Sequence, residues 1–440
     1  MKTIYKLLFG SLFLITATAC DNDLDQFPSN QASSDSLTEF NEVLNAAYYY
    51  QHASATPMGV MGDFRADNAL MLEPPYTDFD TYNSNLTSMD NQFFRPFYFA
   101  MYKSILSANT IIENSENPIH VGEAKFLRAL SYFKLVRVFG DVTVNLSASP
   151  SITDTSILVR QPAMDVYNNV IIPDLEDAIA ALGVNIVDGR ASKYAAQGVL
   201  GKVYMQMGDY TSAQPHLAAV VNGAAAAGIS LQTNFEDIFG EANDLNSEII
   251  FATQISSSIT DEYGFTEFTG WYSGSDTKSL TPLDSDLTTA FDENSGDLRK
   301  DATIDEASQI SVKWGGADQD WIELRLADVI LLYAEALNEN TNASGAQSAS
   351  ILALLNPIRT RADLGSLVGT AATQAQVRTA IAKERRLELA FEGQRWFDLV
   401  RTGTVDAEMG QTISSDYYVF PIPISEILAT NGVITQNNGY

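Results

Sequence analysis

The chain has 440 residues, 26 basic and 55 acidic, giving a net charge of −29, and is 45% hydrophobic. That charge excludes nucleic acid as a partner, since phosphates are bound by Lys and Arg that release counterions, and it suits a protein kept soluble by negative surface in a saline exterior. The one cysteine leaves no internal disulfide to staple the fold, and the length allows one to three domains around a large core.

At the start, Lys2 and Lys6 precede an apolar run from Leu7 to Ile15, then Ala17, Thr18 and Ala19 lead directly to Cys20. This is the charged, apolar and small-residue order of a secretory signal. The run is shorter than the roughly 20 apolar residues a transmembrane helix needs. A cysteine behind small residues is similar to a bacterial lipobox, so residues 1–19 are expected to be a cleaved lipoprotein signal and Cys20 the lipidated residue. Acyl chains contribute about 0.8 kcal/mol per buried methylene and hold a protein at a membrane without a helix. Without residues 1–19 the chain carries 24 basic against 55 acidic residues, or −31. Residues 20–35, opening with Asp21, Asn22, Asp23, Leu24 and Asp25, are expected to be a solvated acidic and polar tether.

From residue 36 to 440 a single domain is expected, mostly α. Ser36 and Glu39 have capping-box spacing and predict a helix running to about Gln51. Pro, Gly and aromatics from Ala53 to Asp90 predict irregular loops. Helical periodicity returns over 92–115, over 122–139 with Gly140 as stop, over 163–182, and over 192–222 with a break at Gly208. In that last stretch Gly198, Gly201, Tyr204, Gly208-Asp209-Tyr210, Ala213 and Leu217 fit two helices with small residues at their crossing and a tight turn between them. This resembles a tetratricopeptide repeat. Periodicity lapses over 223–321, where strand-like runs stand at 248–255 and 310–314 amid Ser, Thr, Gly and Asp. Helices resume at 322–338, 346–362 and 373–391, and the tail is non-helical around Phe420 to Pro423. The expected fold is a tetratricopeptide-like helical hairpin scaffold carrying a large irregular, loop-rich insertion with short strands.

Several segments in order carry a resemblance. They are Glu123 to Asp141 with its Phe139-Gly140-Asp141 stop, Arg325 to Asp328 with Tyr333 to Ala336, and Asn356 with Ile358, Arg359, Arg361 and Ala362. The longest runs from Glu384 through Gly393 into Gln394-Arg395-Trp396-Phe397-Asp398-Leu399-Val400-Arg401, and the chain closes on Pro421 to Pro423 and Gln436 to Tyr440. Together these resemble the SusD/RagB family of outer-membrane nutrient-uptake lipoproteins of Bacteroidota. The resemblance implies a non-catalytic, lipid-anchored protein on the outer face of the outer membrane. Such a protein captures oligosaccharide or polysaccharide and hands it to a SusC-like TonB-dependent transporter. A peptide-binding member of the same family is the nearest alternative, and a surface glycoside hydrolase a more distant one.

The residues themselves give no catalytic or metal set. Glu388, Glu392, Arg395, Asp398 and Arg401 have helical spacing and read as an ion-pair and capping network tying the last helices to the tail. His52, His120 and His216 lack metal-ligand spacing. Asp292, Asn294 and Gly296 echo a calcium loop without its final bidentate Glu, so calcium is weakly supported and no cofactor is expected. Glycan binding calls for flat aromatic faces against sugar C–H groups, with amides, carboxylates or Arg for the hydroxyls, on loops held by a rigid frame. That selects Arg65, Asp67, Asn68 and Tyr76 in one loop region and Trp271, Tyr272 and Trp314 in the insertion, while Trp321 and Trp396 read as core.

Overall fold

Helix α1, Phe40–Tyr49, buries Leu44 and Ala47, three residues apart and so on one face. The computed structural model describes residues 40–151, 153–258, 268–273, 283–316, 318–342 and 344–440. The leader, Cys20, the tether and the Ser36/Glu39 capping box lie outside them.

Seven further long helices follow: α2 (Arg95–Asn114), α3 (Pro118–Phe139), α4 (Ile172–Ala181), α5 (Lys193–Met207), α6 (Tyr210–Gly223), α7 (Leu326–Thr341) and α8 (Gln374–Glu388). Each packs against the next, as stacked helical hairpins do. The α5–α6 hairpin is the one expected from its turn. Gly208 takes φ +74° and ends α5, and the Asp209 side chain then accepts from the Ser212 amide at 3.0 Å to start α6. Small residues sit where the helices cross for a steric reason: a Cβ on Gly201 would lie 2.4 Å from Leu217 Cδ2. Thr373 and Gln376 form a reciprocal capping box that opens α8. Helix α9, Arg395–Thr402, follows α8 after a short turn.

The structure departs from the expected elements in several places. Residues 53–90 are less open than their Pro and Gly content suggests. A 3-10 turn (Tyr50–Ser54), a helical turn (Ala55–Gly59) and a π-helical turn (Val60–Phe64) follow α1, and all their residues from Gln51 to Phe64 are buried. A buried segment must satisfy its own backbone polar groups, and short helical turns do so. The helix expected over 163–182 is split, with Ala163–Val166 and the π-helical turn Tyr167–Ile171 preceding α4.

The strands are few. Val142–Thr143 (β1) pairs with Arg160–Gln161 (β2), Ile249–Thr253 (β3) with Trp321–Arg325 (β6), and Ile304–Asp305 (β4) with Ile310–Ser311 (β5), all antiparallel. The start of the helix expected at 322 is thus strand β6, with α7 beginning at Leu326. Short apolar runs do not separate the two states by periodicity, and here the buried partner strand β3 decides.

Candidate ligand-binding face and the network behind it

Of the residues selected for sugar binding, six are buried and bonded inward. Trp271 and Tyr272 are each 1% exposed and Trp314 is 2% exposed. They form a seam of rings: Trp271 lies edge-on to Tyr76 at 4.9 Å and to Phe93 at 5.2 Å, Tyr272 meets Phe64 and Phe391, and Trp314 stacks on Trp321 at 5.4 Å. Trp314 Nε1 also donates to the Phe391 carbonyl at 2.6 Å. Rings buried on both faces offer none to a sugar, so the expectation of exposed aromatic platforms at Trp271, Tyr272 and Trp314 is corrected. Trp321 and Trp396 are buried, as expected of core residues.

Arg65, Asp67 and Asn68 also turn inward. The Arg65 guanidinium donates to the Phe79 carbonyl at 2.6 Å and the Tyr417 carbonyl at 3.1 Å, with Tyr82 4.3 Å beneath it. Asp67 holds Arg395 through two bonds of 2.7 Å, a planar bidentate pair. Asn68 accepts from Arg386 Nε at 3.1 Å and donates to Asp63 Oδ1 at 3.3 Å. Asp63 in turn accepts from the Gly393 amide at 2.6 Å and from the Tyr272 hydroxyl at 3.2 Å. Burial raises the Asp63 carboxyl to about 7. Asp63, Asp67 and Asn68 therefore grip the turn between α8 and α9 and its flanks, while Arg65 holds the Phe79 and Tyr417 backbones. The sequence carried a weak signal for this, because Asp63-Phe-Arg-Ala-Asp-Asn-Ala lacks Gly and Pro and alternates charged with small or apolar residues as far as Asp67.

The charged signature is the other half of that grip. Glu388 pairs with Arg299 at 3.0 Å, with Arg325 at 2.6 Å and with Arg361. Glu392 pairs with Lys313 and Arg325, both at 2.7 Å. Asp398 is shared by Arg385 and Arg401, and Arg401 reaches Glu335 at 2.6 Å. Burial alone would raise the Glu388 carboxyl, but Arg361, Arg325 and Arg299 outweigh it and hold the group far below the usual carboxylate range. Arg299, Lys313 and Arg325 belong to the insertion and strand β6, so the network bolts the insertion to the last helices. Sequence spacing identified the acidic side of this network and missed those three cations, which lie 60 to 90 residues upstream.

What remains on the outside of the ring seam is a face from Leu70 to Gln92. Leu70 and Leu72 are 40% and 53% exposed, and Pro74, Pro75, Asn91 and Gln92 are exposed beside a half-buried Tyr76. Tyr76 is the selected aromatic that reaches solvent. Its ring is propped edge-on by Trp271 and Phe93, and its hydroxyl accepts from Gln92 Nε2 at 3.3 Å. Asp78 accepts from Ser88 Oγ at 3.1 Å on the same stretch. The Asp292, Asn294 and Gly296 segment is used otherwise, with Asp292 pairing to Lys300. Among the described residues no group of three or more His, Cys, Asp or Glu is placed to hold a metal, and no helix is long and apolar enough to cross a membrane.

Two family profiles match the chain in succession. Residues 21–205 match a family described as "Starch-binding associating with outer membrane", and residues 261–415 match the SusD family. The chain belongs to the SusD family. This SusD-like chain is 26% identical to SusD-like protein P2 of Formosa agariphila over 99% of each chain. It is 26% identical to a SusD-like protein of Bacteroides ovatus over 90% of this chain and 81% of the other. Its fold matches a SusD superfamily structure from Parabacteroides distasonis with a TM-score of 0.76 at 21% identity, covering 93% of this chain and 100% of that one. It also matches a laminarin-binding SusD-like protein with a TM-score of 0.74 at 25% identity, covering 92% and 99%. The mostly helical, tetratricopeptide-like architecture is that of the superfamily.

Proposed function

We propose that this SusD-like protein is a non-catalytic, cell-surface glycan-binding lipoprotein. It captures oligosaccharide on the Leu70–Gln92 face and passes it to a TonB-dependent transporter. Lipidation at Cys20 would keep the binding body at the outer membrane. The observation that carries the reading is Tyr76, a ring held rigid by Trp271 and Phe93 and open to solvent beside an exposed amide and exposed aliphatic groups. A pre-positioned ring loses little freedom on stacking against a sugar. The laminarin-binding relative of the same fold supports a glycan as the ligand class.

A peptide ligand would call for arginines able to take a carboxylate. Five arginines line a cleft of about 110 Å³ between α8 and α9, but carboxylates of the protein itself already engage them. The test is affinity electrophoresis of the mature protein against laminarin, other polysaccharides and peptides. Tyr76→Ala should keep the fold and weaken glycan retardation about tenfold, the loss of one stacking contact. Retardation unchanged by Tyr76→Ala would sink this face as the site; retardation by peptides alone would sink the glycan.

A further inference from the structure

Every titratable side chain from Leu70 to Gln92 is an acid or a tyrosine. The acids are Glu73, Asp78, Asp80 and Asp90, and no Lys, Arg or His occurs from Ala66 to Phe94. Asp80 and Asp90 turn to the backbone, accepting from the Met71 amide at 3.0 Å and the Ile424 amide at 3.3 Å. Asp78 takes the Ser88 hydroxyl, and Glu73 is exposed. Among the described residues none of the four carboxylates is engaged by a cation.

The cations around this face are spoken for. Arg65 lies beneath it, fully buried, with its guanidinium on the Phe79 and Tyr417 carbonyls. Arg386 and Arg395 are held by Asp67. Arg95, exposed at the rim, acts on both Asp90 and Glu426, two acids to one base. Asp284 is a further acid near enough to act on Asp80. In sequence, the segments on either side of Trp271 are acidic too, with Asp261, Glu262, Glu267 and Asp276 against Lys278.

We propose that the ligand taken on this face is an uncharged glycan, and that uronate and sulfated polysaccharides are turned away; this rests on the Leu70–Gln92 face being the ligand-binding one. Two causes act together. A polyanion would meet carboxylates with no unopposed cation to take its charge, and like charges brought together weaken association. Uronate and sulfate groups also only accept hydrogen bonds, as Glu73 and Asp78 do, so neither side would find a donor in the other. The hydroxyls of a neutral sugar donate to those carboxylates instead. Rejection of this kind is specificity built from repulsion, while the Tyr76 ring supplies the attraction a neutral chain needs.

Affinity electrophoresis of the mature protein through gels holding laminarin as the neutral chain, alginate as the uronate and carrageenan as the sulfated chain tests this. Laminarin or another neutral glycan should retard the wild type and lose about tenfold in affinity for Tyr76→Ala, while alginate and carrageenan should not retard it. Glycol chitosan, a cationic chain, is drawn to the whole of a molecule with net charge −29 and should retard wild type and Tyr76→Ala alike. Titration of the wild type with the neutral oligosaccharide at about 0.05 M and about 0.5 M sodium chloride should give Kd values within about twofold, since no charge is neutralised on binding; this measurement needs no variant to fold. Retardation by alginate, carrageenan or glycol chitosan that Tyr76→Ala abolishes, or a larger salt effect, overturns the uncharged ligand and leaves the face standing. Laminarin retardation that Tyr76→Ala leaves unchanged overturns the face, and with it the ground of this inference.

Discussion

The turn between α8 and α9 and the face from Leu70 to Gln92 lie on opposite sides of one ring seam, and they use polar groups in opposite ways. At the turn nearly every charge is buried and spent on another charge of the same chain, as Glu388 is on three arginines. On the face, one ring is propped from below and left partly open above. A high density of arginine and carboxylate therefore marks the part of the molecule that must not move. The part with spare bonding capacity is the chemically plainer one.

The sharpest way to break this contrast is Glu388→Ala. It would leave Arg299, Arg325 and Arg361 without their shared carboxylate, and removing one partner of a buried ion pair costs about 3–5 kcal/mol. Chemical denaturation should show that loss, or no folded protein. A loss below about 1 kcal/mol would mean the network is solvated and not a bolt. Trp271→Ala should cost a similar 3–5 kcal/mol as a large-to-small change in the core, whereas Tyr76→Ala should cost about 1 kcal/mol or less while weakening binding. If Trp271→Ala abolished glycan binding without loss of stability, the ring would be a platform after all.

Comparable in size to the larger of these, but opposite in sign across pH, is the effect of Asp63. Its folded carboxyl titrates at about 7 against roughly 3.9 when unfolded, so the folded state holds a proton the unfolded chain has released. Stability linked to Asp63 is complete below about pH 4, falls as pH rises to about 7 by up to roughly 4 kcal/mol, and is flat above. Asp80 and Asp320, also raised to about 7 by burial, add to the same slope. Glu388 and Asp328, held low by their cations, lose their contribution only as pH falls below about 4. Unfolding free energy should thus rise from about pH 7 to about pH 4 and drop below that, and Asp63→Asn should remove its share of the upper limb, leaving that of Asp80 and Asp320. The smallest effect is expected at Arg378, half exposed and paired with Glu339. Arg378→Ala should shift stability by about 0.5 kcal/mol or less, with that shift vanishing in high salt.

The helical scaffold was legible because its signals are local. The Gly208-Asp209-Tyr210 turn, Gly140 and the Thr373 cap each act within a few residues of where they stand. Strand β6 was not legible, since Trp321 to Arg325 becomes a strand only by pairing with β3, some 70 residues earlier. The site was legible as a region and misread by residue. Trp271 and Tyr272 resemble sugar platforms in sequence, but Gly59 and Phe64 receive Tyr272 so closely that a Cβ on Gly59 would stand 2.4 Å from its hydroxyl. That embrace depends on chain segments more than 200 residues apart, a distance no spacing rule covers.

The bond between Asp63 and the Gly393 amide has a consequence for the order in which the molecule is completed. It joins residues 330 positions apart, and the backbones touch so closely that a Cβ on Gly62 would sit 2.2 Å from the Gly393 carbonyl. In a chain that emerges N-terminus first, Asp63 arrives well before its partner. Until then the early aromatic segment has no lid on its core. A chain cut short anywhere before the final fifty residues should be open to proteases and prone to association, and the last part to be made is the part that licenses the first to close.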